Sequence, residues 1–206
     1  MIYLDIETKP IAIKDLPAKN KEYLIEKSKN KRSGKIIDGE SYGNGAIGRF
    51  DLNEILCCCV KKDEEEIIAY AGSEDTYVGD AKDIISAVFA QLVTQDHVVT
   101  FNGNGFDLPM LKMRGIIHGL HTTMPFNIKS WSEHYIDVRY QLTDQYGVGD
   151  LAYWCRVFGI EPPMWQIEDK SNLSKYPIED VVKGCKEDVR ALYELYQKLN
   201  NSLKGE

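Results

Sequence analysis

The chain opens on an apolar run that polar residues interrupt only at Asp5 and Glu7. Residues 2–6 (Ile-Tyr-Leu-Asp-Ile) are β-branched, aromatic or aliphatic except at Asp5, and predict a strand. Residues 10–48 break that pattern. They are lysine-rich between Lys14 and Lys35 and glycine-bearing from Gly39 to Gly48, which predicts a mobile insertion with a short helix near residues 19–28. Two strand-like runs, 55–60 and 66–71, flank the acidic turn 62–64 and predict a hairpin beside the first strand.

Helical spacing follows at residues 81–93, then a buried-type strand at 97–101 and a helix over 107–117. Residues 135–138 read as a short strand. Residues 149–158 read as a helix turning Leu151, Trp154, Cys155 and Phe158 inward, and 159–177 as a loop of proline and polar residues. Residues 178–203 place Val181, Cys185, Val189, Leu192, Leu195 and Leu199 on one stripe, the signature of a long amphipathic helix. Together these elements predict an α/β fold, a mixed sheet with helices outside it.

Composition adds limits. A length of 206 residues suits one compact domain over 1–206, and 43% hydrophobic with 28% charged residues supports a packed core. The net charge of -7 weighs against a basic coat for sequence-blind nucleic-acid binding. An acidic site that takes divalent cations is compatible with it. Cys57, Cys58, Cys59, Cys155 and Cys185 are odd in number and lack a C-x-x-C pair, so neither a disulfide framework nor a zinc knuckle is expected. Asp5 and Glu7 interrupt the apolar start, against a signal peptide, and no run approaches ~18 apolar residues. The expectation is a cytoplasmic protein with no membrane contact.

Candidate chemistry begins at Asp5 and Glu7. Two positions apart on a strand, their side chains share a face. Paired carboxylates beside a buried sheet repel unless a cation lies between them, and a hard divalent ion with oxygen ligands is the simplest solution. A solvated strand end would carry the same two residues, so the pair alone decides nothing. Residues 101–107 (Phe-Asn-Gly-Asn-Gly-Phe-Asp) are more specific: a strand runs into a glycine turn, and Asp107 opens the next helix, where it can also cap. Asp188 lies next to the apolar stripe of the last helix, where a solvated acid would be equally ordinary.

Taken together, the chain resembles the DEDD-superfamily 3′→5′ exonucleases, most of all the proofreading domains of family-B-type DNA polymerases in free-standing form. Asp5-Ile6-Glu7-Thr8 matches the first family motif, Asn102-Gly103-x-x-Phe106-Asp107 the second, and Cys185 to Val189 the end of the third. The resemblance implies a ribonuclease H-like fold and hydrolysis from single-stranded 3′ ends, DNA before RNA, with two Mg²⁺ or Mn²⁺ ions as cofactors. It implies Asp5, Glu7, Asp107 and Asp188 as metal ligands, and Thr8, Asn102 and Phe106 as substrate contacts, Phe106 by stacking. A separate polymerase or replisome partner would fit the same picture.

One departure stands out. The family places Tyr four residues, or His five residues, before the last Asp to orient the attacking water. Here those positions hold Gly184 and Lys183. Lys183 is therefore a candidate water-orienting residue, against the ordinary alternative of a surface lysine. Tyr176, in the preceding loop, is an alternative candidate for that role, and Lys170 and Lys175 there are candidates for phosphate contact, against the ordinary alternative of loop lysines facing solvent. His97, His118, His121 and His134 lack catalytic spacing to Asp188. A catalytically weak nucleic-acid-binding subunit is the reading this departure would favour.

Overall fold

The computed structural model describes residues 1–11, 13–22, 50–73, 76–77, 80–121, 134–143, 148–168 and 170–204. Six strands form one mixed sheet: β1 (Ile2–Pro10), β2 (Asn53–Lys62), β3 (Ile68–Ser73), β4 (Thr76–Tyr77), β5 (Val98–Thr100) and β6 (Tyr135–Asp137), in spatial order β4-β3-β2-β1-β5-β6. β1 is central. It runs antiparallel to β2 on one side and parallel to β5 on the other, and β5 is parallel to β6. The expected hairpin is present as β2 and β3, which pair antiparallel.

The two faces of β1 sort by its period of two. Ile2, Leu4 and Ile6 enter a core with Ile84, Val88, Leu108 and Leu111. Those partners belong to α1 (Ala81–Leu92) and α2 (Asp107–Ile117). Tyr3 points the other way, into a core with Val181, Cys185, Val189 and Leu192 of α5 (Ile178–Lys204). Asp5 and Glu7 alternate with Ile6 and so belong to the α5 face. The three consecutive cysteines obey the same rule: Cys57 and Cys59 face α5, and Cys58 faces α1 and α2. All five cysteines are free and buried, acting as small apolar side chains.

α1 begins where the Asp80 carboxylate accepts from Asp83 N at 3.1 Å, a side-chain cap. α3 (Val138–Thr143) follows β6 without a loop, and α4 (Leu151–Val157) is capped by Asp150. Some elements differ from the sequence reading. β1 continues to Pro10, well past its apolar residues, because β2 pairs with it as far as Asn53 opposite Pro10. The register shifts between Glu7 and Thr8. The expected loop 159–177 contains a 3₁₀ segment, Lys170–Lys175. Of the lysine-rich stretch, residues 18–22 are helical, whereas 23–49 lie outside the described residues. No helix among the described residues is long and apolar enough to cross a membrane.

Candidate functional site

The α5 face of β1 carries a tight group of acids. Asp5, Glu7 and Asp188 each offer a carboxylate oxygen within 4.8 Å of the others'. Asp188 is drawn inward because it follows Cys185 by three positions and precedes Val189 on α5, at the edge of the buried stripe. It is only 9% exposed. Beneath the acids, the Cys185 thiol approaches Asp5 Oδ2 at 3.4 Å and the Asp5 carbonyl at 3.5 Å.

Asp107 joins from the opposite layer. β5 pairs with β1 at Ile2 and Tyr3 alone, so further along β1 that edge is open. There the backbone N–H of Ile6 donates to Asp107 Oδ1 at 3.1 Å. The α2 N-cap position is held by Phe106, and Asp107 is the first helical residue, so its carboxylate ties helix to strand rather than capping.

These acids are costly as anions. Burial, reinforced by the charges of Asp188, Glu7 and Asp107, pushes Asp5 well above the usual carboxylate range. Burial raises Glu7 as well, with Lys170 opposing it. Asp107 is pushed up to about 7, again chiefly by burial, with the Ile6 N–H working the other way. Asp188 is raised by burial and held down by Lys170 and Trp165.

Lys170, from the loop before α5, is thus a member of the site. Its Nζ lies 3.4 Å from Asp188 Oδ2 and 3.4 Å from the centroid of the Trp165 ring. Trp165 Nε1 donates to the same oxygen at 2.8 Å. Lys183, by contrast, is exposed on α5. Five residues from Asp188, it lies roughly 140° around the helix from that side chain. The structure therefore leaves Lys183 outside the acidic group and brings Lys170 to it.

The glycine turn is built on Asp137, a buried carboxylate at the end of β6. Asp137 Oδ1 accepts from Asn102 N at 2.8 Å and Arg139 N at 3.1 Å, and Oδ2 accepts from Asn104 N at 3.1 Å. Burial raises the pKa of Asp137, and these N–H groups lower it. The turn holds Asn102 at φ 64°, a left-handed conformation that asparagine tolerates. Arg139 Nη1 donates to Asn102 Oδ1 at 2.8 Å, which directs the amide NH₂ of Asn102 elsewhere. Phe106 is half-buried, with its ring 6.3 Å from that of Phe50. Thr8 follows the register shift in β1, a feature that re-aims side chains. His118 ends α2 and contacts Glu54, which also pairs with Arg114, apart from the acids.

Residues 51–147 match the model of a family described as a predicted 3′-5′ exonuclease related to the exonuclease domain of PolB. That segment includes Asn102, Phe106 and Asp107 and leaves out Asp5, Glu7 and Asp188. In three dimensions the chain resembles the family B DNA polymerase from the hyperthermophilic archaeon Pyrobaculum calidifontis, with a TM-score of 0.61 and 16% identity. The fold is that of a polymerase exonuclease domain. The match covers 98% of this chain and 24% of the polymerase, so the chain spans about a quarter of that relative's length. The ribonuclease H-like sheet expected from the motifs is thereby present. No match is found among curated protein sequences.

Two residues of this site, Trp165 and Asp137, escaped the sequence reading, and Lys170 was weighed there only as a phosphate contact against an ordinary solvent-facing lysine. Trp165 and Lys170 sit in a stretch without periodicity, where no pattern separates a solvent-facing lysine from an inward one. Asp137 was readable only as the end of a short strand. Its signal was an acid at a strand terminus directly before a helix, the position from which a carboxylate can hold backbone N–H groups.

Proposed function

We propose that this exonuclease-type chain is a two-metal 3′→5′ exonuclease acting on single-stranded DNA ends. The convergence of Asp5, Glu7 and Asp188 oxygens within 4.8 Å carries this reading. The donor chemistry fits divalent Mg²⁺ or Mn²⁺: the ligands are hard oxygens, and burial makes their unneutralised charge unfavourable. Lys170 supplies a single positive charge against this group of acids. Asp5, Glu7 and Asp188 would hold one ion, and Asp5 with Asp107 the other. Bound there, the ions would lower the pKa of the attacking water and stabilise the leaving 3′ oxygen.

The chain's own residues do the rest. The NH₂ of Asn102, aimed by Arg139, donates to the terminal nucleotide. The exposed part of the Phe106 ring offers a stacking surface indifferent to base identity. Thr8, just past the register shift in β1, would lie close to the 3′ end of the bound strand. Lys170 holds Asp188 and presents its remaining N–H donors to water or phosphate, the part first assigned to Lys183. DNA is favoured over RNA by the likeness to a DNA polymerase, and a polymerase or replisome component is the expected partner.

A 5′-labelled single strand incubated with Mg²⁺, Mn²⁺ or chelator tests this. The expected result is a metal-dependent ladder from the 3′ end that disappears in Asp5→Ala. Faster degradation of a matched RNA would transfer the assignment to an exoribonuclease. Retained binding without degradation in either metal would leave a nucleic-acid-binding subunit instead.

A further inference from the structure

Position 184, inside the long helix α5 and one turn before Asp188, holds a glycine. The packing supplies a reason. A Cβ on Gly184 would lie 2.5 Å from Cδ2 and Cε3 of Trp165, so the indole rests directly on the bare backbone of α5. Gly184 is itself buried. A glycine inside a helix weakens it, and that cost is accepted here where a large ring takes the vacated space.

The ring makes two further contacts from that seat. Its Nε1–H donates to Asp188 Oδ2 at 2.8 Å, and its face carries Lys170 Nζ at 3.4 Å from the centroid. Lys170 in turn reaches the same Asp188 oxygen at 3.4 Å. Both donors therefore converge on Oδ2, so neither competes with a cation for Oδ1. An indole with a buried N–H needs an acceptor in any protein, so packing alone would explain one bond. It does not explain why the helix gives up a side chain at 184, or why the acceptor is the acid that closes the cluster.

We propose that Trp165, seated on Gly184, is a positioning residue that fixes the carboxylate of Asp188 for metal binding and holds Lys170 above it. The proposal rests on the metal-site reading above. It assigns Trp165 no contact with substrate. Hydrogen-bonded partners of metal-ligating carboxylates typically contribute about 10- to 100-fold to metal affinity.

The test combines Mn²⁺ binding by calorimetry with degradation of a labelled single strand, so that one readout is independent of activity. Trp165→Phe keeps the ring over Gly184 and under Lys170 but lacks the N–H. We expect Mn²⁺ binding to weaken about 10-fold or more, with the melting temperature close to that of the parent. Gly184→Ala should reproduce the defect by displacing the ring, although alanine alone would favour the helix. In an Asp188→Asn background, Trp165→Phe should weaken Mn²⁺ binding no further. Parental Mn²⁺ binding in both Trp165→Phe and Gly184→Ala overturns the proposal. So does an equal loss with and without the Asp188 carboxylate. Mn²⁺ binding by the parent without degradation would instead sink the exonuclease reading and leave the role of Trp165 to be decided by calorimetry. A parent that binds no Mn²⁺ removes both.

Discussion

The backbone N–H of Ile6 and the Oδ1 of Asp107 meet at 3.1 Å across 101 residues of sequence. This bond joins the central strand to the helix of the opposite layer. It also holds a carboxyl group whose pKa is pushed up to about 7, beside Asp5 and Glu7, which burial likewise pushes well above the usual carboxylate range.

Stability without metal should therefore fall as pH rises. A carboxyl whose folded pKa lies above its unfolded value of 3.8 keeps its proton in the folded state while the unfolded chain has lost it. Folding is then favoured below the unfolded value and loses that advantage as pH climbs to about 7 through Asp107, with Asp5 and Glu7, raised in the same direction, adding to the loss. The melting temperature in chelator should drop by about 5 °C or more between pH 5 and pH 8. Saturating Mn²⁺ should reduce or reverse the drop, because the ions favour the ionised acids. A melting temperature in chelator that rises steadily over this interval would contradict the raised pKa values.

Lys170 and Lys183 should behave differently. Lys170→Ala removes the ammonium from Asp188 and is expected to slow degradation about 10-fold or more, the usual scale for a donor aimed at reacting groups. Lys183→Ala removes an exposed side chain on another face of α5 and should stay within about twofold of the parent. Single-turnover rates at saturating Mg²⁺ separate the two. Equal losses would return Lys183 to the site.

The glycines of the 102–106 turn also differ. An added Cβ at Gly103 would overlap the Thr100 side chain, whereas at Gly105 its closest neighbour would be Asn102 Oδ1 at 3.4 Å. Gly103→Ala should cost about 1–3 kcal/mol by overpacking and lower activity through Asn102. Gly105→Ala should leave stability within about 0.5 kcal/mol. Urea denaturation of both variants reads this directly.

Asp137→Ala should do more than either. It strands the N–H groups of Asn102, Asn104 and Arg139. Leaving buried donors without acceptors costs about 1–3 kcal/mol each where water cannot replace the carboxylate. The Michaelis constant for a single strand should rise with the loss of the Asn102 geometry. Unchanged stability would mean that water has taken the place of the carboxylate.

Much of this molecule was legible from periodicity. α2 spans Asp107–Ile117 as its spacing predicts, and α5 ends one residue beyond the expected 178–203. Asp5 and Glu7 share a face because strand geometry leaves them no choice. Asp188 could be placed beside a stripe, but its approach to Asp5 depends on how α5 docks, which no local pattern records. The least legible part was the stretch 159–177. Its roles are set by one tertiary fact, the indole resting on Gly184, and glycine in a helix announces an absence without naming what fills it. Residues 23–49, including most of the lysine-rich stretch, lie outside the described structure.

The contact between Cys185 and Asp5 spans 180 residues. Closing so long a loop is entropically unfavourable until the intervening sheet has formed. On refolding, the site should therefore be among the last features to appear, after β1, β2 and α1 have associated. A chain emerging from synthesis carries Asp5 and Glu7 long before Asp188 reaches them, so the acidic site is complete only once the final helix docks. For the proposed exonuclease, that delay would spare nearby nucleic acid from a half-made site.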